Sequence, residues 1–299
     1  MSTQTLFKNE SERLTDERLR LVCEEYGARV CPKVRVADIL NVKKDSLAPE
    51  LFSYALMAHF DFVIYDPQDL HSPLFAVEFD GESHSRPTQI ARDKKKNQLC
   101  ELSQFPLLRI NSNFLSKSYR HKDILTYLVE RYFLEKSFEE AQEQGLIPEE
   151  EGFDPTFLMV TQGGKTKFPL WLSKEILTEY QELCKAKIIR DHIPSSMIAR
   201  DMDGNLRAIG WTLIRDGYGI VANTGMKAQL FDYGLTDAIE EIIIFETHAS
   251  LKKCLEKKSA GVSLAVINKS ITHFERQYGH FQSNTSGLLR ASYLGKTND

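Results

Sequence analysis

The chain has 299 residues, 42% of them hydrophobic and 27% charged, enough to build two ordinary domains and too apolar for wholesale disorder. Its net charge of −4 excludes a strongly basic, nonspecific nucleic-acid binder, though a local basic surface with a metal would still hold phosphate. No apolar run reaches the roughly 20 residues a membrane helix needs, and the N-terminus lacks a signal-peptide core. The five cysteines are scattered without any Cys-x-x-Cys pair, which argues against a zinc site or disulfide framework and fits a reduced cytoplasm.

In chain order, residues 9–26 read as an amphipathic helix with Leu14, Leu21 and Val22 on its inner face. Val34–Ile39 is a first strand or its lead-in. His59-Phe-Asp-Phe-Val-Ile-Tyr-Asp66 is rich in β-branched and aromatic residues, and a turn-forming stretch separates it from Pro73–Asp80. An antiparallel hairpin with Asp66 facing Pro73 places Asp61 opposite Glu78. Like charges directly across a strand pair destabilise it, so this pair calls for a cation.

The second strand carries Pro73-Leu-Phe-Ala-Val-Glu-Phe-Asp-Gly-Glu-Ser-His84. Glu78 and Asp80, at i and i+2, share one face of the strand end. A helix from about Thr88 to Gln104 follows, with Ala91, Leu99 and Leu102 as its apolar stripe and Arg92 and Lys96 on one flank. Phe105–Ile110 is a strand carrying Arg109. A long helix over Tyr119–Gln144 ends at Gly145, and residues 146–155 read as a linker between a domain at 1–145 and another at 156–299.

The second half is strand-like at Ser196–Arg200, Leu206–Arg215 and Gly219–Ala222, with Asp203-Gly and Asp216-Gly turns, which predicts an antiparallel meander. Helices are expected at Ser173–Lys187 and within Thr236–Lys258. Gly163-Gly-Lys-Thr166 lacks the glycine spacing of a phosphate loop. Lysines such as Lys185, Lys187, Lys252 and Lys253 form either a DNA- or partner-facing surface or, more simply, solvated helix faces. The function of this half is not legible in its residues.

Phe60-Asp61-Phe62, Glu78-Phe-Asp-Gly-Glu-Ser-His84, Arg92-Asp93 with Lys96-Asn97, and Pro106-Leu-Leu-Arg109-Ile110 occur in that order. Together they resemble the PD-(D/E)XK, or restriction-endonuclease-like, nuclease superfamily, in an uncharacterised bacterial branch related to very-short-patch-repair endonucleases. The resemblance covers roughly residues 5–135. It implies a mixed sheet flanked by helices (an α/β, or α+β, fold) and a Mg²⁺- or Mn²⁺-dependent endodeoxyribonuclease. It departs from the superfamily pattern where Asp80 stands in place of the expected lysine.

On that resemblance Asp61 and Glu78 hold the metal, with the Phe79 carbonyl and Asp80 as further ligands. Lys96, with Lys95 the alternative, supplies the positive charge. His84 is a candidate proton shuttle or leaving-group acid, Arg92, Lys95, Lys96 and Arg109 face nucleic acid, and Glu10, with Glu12 and Glu17 competing for the position, orients a metal-bound water. DNA is the expected partner, a protein partner or homodimer is compatible, and no membrane is implied. The rival reading is a non-catalytic nucleic-acid-binding or regulatory module on the same fold. Either form suits a subunit of a bacterial defence or mobile-element assembly.

Overall fold

The computed structural model describes residues 10–69, 71–81, 87–116, 119, 122–156, 158–162, 165–214, 217–257, 259, 261–278 and 281–282. The chain forms two compact units: residues 1–153 with 229–234, and residues 154–228 with 235–299. The break after Phe153 lies inside the stretch read as a linker. The return of residues 229–234 to the first unit is not visible in a linear reading.

The first unit runs α1 (Glu10–Glu25), β1 (Arg29–Arg35), α2 (Val36–Ile39), α3 (Pro49–Met57), β2 (His59–Tyr65), β3 (Pro73–Phe79), α4 (Pro87–Leu102), β4 (Leu107–Ile110), α5 (Ser112–Ser116) and α6 (Ile124–Glu143). Its mixed sheet has the order β1-β2-β3-β4, with β1–β2 and β2–β3 antiparallel and β3–β4 parallel. A parallel return needs a crossover, and α4 supplies it. The first strand therefore begins five residues earlier than the sequence suggests, and Val36–Ile39 is a helical turn.

β3 lies between β2 and β4 and is buried over its last five residues, so Glu78 sits in an otherwise apolar run. The inner face of α1 is Glu12, Thr15, Leu19, Val22 and Cys23, while Leu21 is exposed. On α4 the buried face is Lys96, Leu99 and Cys100; Ala91 and Leu102 face solvent. Both corrections have one cause: a charged residue, Glu12 or Lys96, occupies an inward position that apolar periodicity assigns to its neighbours. Asp123 starts α6 by accepting the Thr126 N–H at 2.8 Å, and α6 is followed by left-handed Gly145. Phe75, Tyr132, Phe231 and Tyr233 form an aromatic cluster that ties residues 229–234 to β3 and α6.

The second unit comprises β5 (Val160–Gln162), β6 (Lys165–Lys167), α7 (Lys174–Lys185), β7 (Ser195–Arg200), β8 (Leu206–Leu213), β9 (Tyr218–Met226), α8 (Leu235–Glu256), β10 (Val262–Ser263), α9 (Leu264–Tyr278) and β11 (Phe281–Gln282). β7-β8-β9 form the expected meander, extended at its edges by β11 and β10. Met197, Ile209, Trp211 and Leu213 pack with Ile267, Ile271 and Phe274 of α9. The alternate residues face α8, as the two-residue period of a strand requires. Gly210 permits that approach: a Cβ there would collide with Thr247 Oγ1 and stand 2.8 Å from Ile243 Cγ1. The fold is mixed α+β throughout, and no helix among the described residues is long and apolar enough to cross a membrane.

Candidate metal centre

The β2–β3 register pairs Phe62 with Val77, which sets Asp61 against Glu78 at the strand ends. A bulge at Ile64/Tyr65 puts Tyr65, rather than Asp66, opposite Pro73, and it lies far enough along the hairpin to leave the acids in register. The backbone locks the two carboxylates together. Asp61 N–H donates to Glu78 Oε1 at 3.1 Å, and Phe79 N–H donates to Asp61 Oδ2 at 3.0 Å.

Two ammonium groups complete the pair. Lys96 Nζ, from α4, donates to Glu78 Oε2 at 2.7 Å and to the His59 carbonyl at 2.8 Å, and lies 5.6 Å from the Phe60 ring centroid. Lys33 Nζ, from β1, donates to Asp61 Oδ1 at 2.7 Å and lies 3.5 Å from Glu12 Oε2. Glu78 is only 4% exposed and Lys96 7%. Burial pushes the Glu78 carboxyl above its ordinary value against the opposing pull of Lys96, and Asp61 raises it further. Burial disfavours the Lys33 ammonium, yet Asp61 and Glu12 outweigh it and hold its pKa above the usual lysine range.

A second polar group adjoins the first. Arg109 on β4 is the parallel neighbour of Glu78. Its Nη1 donates to Asp80 Oδ1 at 2.8 Å and lies 3.5 Å from Asp93 Oδ1, while Nε donates to Asn97 Oδ1 at 3.0 Å. Burial opposes the Arg109 charge, but Asp80, Glu78 and Asp93 stabilise it more strongly. Its buried Nη2 has no hydrogen-bond partner among the described residues. Asp80, expected as a metal ligand, accepts from this guanidinium.

The other predicted residues divide sharply. Lys95, one residue from Lys96, pairs with Glu50 across α3 and lies 5.9 Å from the Tyr54 ring centroid. Arg92 is exposed. Glu10 is exposed and paired with Arg13, so it is Glu12 that α1 turns toward the acids. His84 lies outside the described residues. Sequence reasoning missed Lys33 altogether. Its left-handed backbone (φ 55°) interrupts the alternation that would have marked the face it occupies.

Among the described residues no three His, Cys, Asp or Glu side chains come together as a ready-made metal cage. The donors nevertheless fit a magnesium-like ion, which takes one or two carboxylates and keeps several waters. Asp61 and Glu78 are hard oxygen donors held side by side, and the Lys33 ammonium already stands as a cation against Asp61.

The second unit contains one buried and one half-buried polar contact of another kind. Glu241 Oε2 accepts the Ser173 N–H at 2.6 Å where α7 begins, and His248 Nε2 meets Glu179 at 2.8 Å with Lys252 at 3.3 Å from the same carboxylate oxygen. Lys252 is thus engaged within its own unit.

Residues 3–131 match a family described as "Protein of unknown function (DUF2726)". No curated protein and no solved structure matches the chain.

Proposed function

We propose that the first unit is a metal-dependent nuclease of the PD-(D/E)XK kind that hydrolyses phosphodiester bonds of DNA. One observation carries this reading: Asp61 and Glu78 stand side by side at the strand ends with the Lys96 ammonium on Glu78. The mixed sheet flanked by helices supports it, since such a sheet is what the resemblance implies.

Asp61 and Glu78 would hold Mg²⁺ or Mn²⁺, which supplies charge neutralisation at phosphate and a water of lowered pKa. Lys96 opposes the upward push of burial on the Glu78 carboxyl and presents a fixed positive potential to developing negative charge. Arg109 fixes Asp80 on the neighbouring strand. DNA is the substrate we assign, acting in the cytoplasm, with a protein partner or second copy supplying specificity.

A second reading rests on the two lysines. Because Lys33 and Lys96 already neutralise Asp61 and Glu78, the unit is also suited to recognising nucleic acid or regulating a partner without hydrolysis, as a subunit of a bacterial defence or mobile-element assembly.

Incubating purified protein with supercoiled, linear and single-stranded DNA, and with RNA, in Mg²⁺, Mn²⁺ and EDTA separates the two. The nuclease reading expects metal-dependent cutting that falls at least about a hundredfold in Asp61→Asn and Glu78→Gln. Cutting that survives EDTA or both variants sinks it, and DNA binding unaffected by chelator favours the recognition module.

A further inference from the structure

The geometry points to Lys33 as a positioning residue: it pairs with Asp61 and passes to a phosphate oxygen of the nucleic acid when a divalent cation is seated. This rests on the nuclease reading above. The two lysines at the acids differ in how they are held. Lys96 makes two short hydrogen bonds, lies over the Phe60 ring, and has a side chain 8% exposed. Among the described residues Lys33 makes ion pairs with Asp61 and Glu12, and its side chain is 27% exposed. A displaced Lys96 would leave a buried charge among apolar neighbours. A displaced Lys33 enters solvent or meets an anion at modest cost.

The backbone gives an independent sign. The β1–β2 register runs through Pro32↔Phe62 and Val34↔Phe60, and between them Lys33 adopts φ 55°. A non-glycine residue in that region costs on the order of 1 kcal/mol or more, and such outliers gather where a side chain must be aimed. At Lys33 the strain holds an ammonium against Asp61, on the oxygen opposite the one that the Phe79 N–H occupies. A divalent ion bound to Asp61 competes with that ammonium for Oδ1. Once released, the ammonium stays within a side-chain length of Asp61 and is free to meet a phosphate brought to the site.

Two opposed effects follow from removing Lys33. Metal binding tightens because a competitor is gone, and nucleic-acid binding weakens because a phosphate contact is gone. A purely structural lysine would loosen both. Lys33→Asn is the variant of choice, since asparagine tolerates the left-handed backbone. Lys33→Gly serves if it fails to fold by circular dichroism, and Lys33→Arg is the charge-conserving control.

Mn²⁺ affinity is read by electron paramagnetic resonance of the free ion, and duplex DNA affinity by fluorescence anisotropy at saturating Mn²⁺. We expect Lys33→Asn to bind Mn²⁺ about three- to tenfold tighter and DNA about three- to tenfold more weakly, with Lys33→Arg near wild type in both. Wild-type Mn²⁺ binding that Lys33→Asn leaves equal or weaker overturns the inference while the nuclease reading stands. So does tighter Mn²⁺ binding with unchanged DNA affinity. No Mn²⁺ binding by either protein removes the nuclease reading, and this inference with it.

Discussion

Glu78 in the first unit and Glu241 in the second are both carboxylates sunk among apolar residues, and burial raises the pKa of each. Their compensation differs. Glu241 accepts a backbone N–H at the start of α7, where the dipole of the helix favours a negative group, whereas Glu78 accepts from the Lys96 ammonium. Glu78 faces an ammonium on one side, a second carboxylate on the other and a guanidinium on the next strand. A buried acid that closes a helix end secures packing. A buried acid that gathers charges of both signs at a strand end holds an electric field in place, which is what phosphate chemistry requires.

The largest effect should separate these two acids directly. Glu78→Ala strands the Lys96 ammonium in the core and should cost about 3–5 kcal/mol in urea unfolding, while Glu78→Gln, which retains an acceptor, costs less. A loss from Glu78→Ala no larger than that from Glu241→Ala would break the contrast.

The next concerns pH. Burial holds the Glu241 carboxyl up at about 8, against an ordinary value of 4.5. Below the lower value both folded and unfolded states are protonated. Between the two only the folded state keeps the proton, so stability falls as pH rises, and the loss is complete above the higher value. Compared with Glu241→Gln, wild type should therefore lose stability across this window with a slope approaching 1.4 kcal/mol (about one pKa unit's worth) per pH unit. Parallel urea midpoints for the two proteins across that range would show that Glu241 is ionised throughout and that the cap is an ionic one.

The smallest effect sharpens the comparison within one helix. Lys95→Ala should leave melting unchanged and cleavage within about twofold of wild type, because an exposed ion pair contributes little. Lys96→Ala should abolish cleavage. Equal losses in the two would mean that the basic run acts as a diffuse surface and not through one ammonium.

The acids of the site were legible in the sequence, and the reason is physical. Two carboxylates in β-branched and aromatic strands leave few registers that bury the apolar side chains, so Asp61 and Glu78 had to meet once the hairpin was recognised. The cations were only half legible. Lys94, Lys95 and Lys96 are adjacent, so the sequence leaves Lys95 as an alternative; Lys96 is the one that turns inward with Leu99 and Cys100, three and four residues on. Lys33 escaped because it sits on a left-handed backbone, and Glu12 stood only as an alternative to Glu10 because it lies on a face read as apolar. The meander of the second unit was plain from its Asp-Gly turns, whereas α3 and α9 were not foreseen as separate elements.

The return of residues 229–234 bears on how this protein can be taken apart. β4 is an outer strand of its sheet, and its free side is closed by chain from far downstream: Leu107 N–H donates to the Leu230 carbonyl, and the Gln229 side chain both accepts from Arg109 N–H and donates to its carbonyl. A fragment ending at Phe153 would present that rim as bare hydrogen-bonding groups, the condition under which sheets recruit strands from other molecules. Gene fragments intended to isolate the first unit would then yield aggregates or swapped dimers, and a fused copy of 229–234 is the graft that restores a finished border.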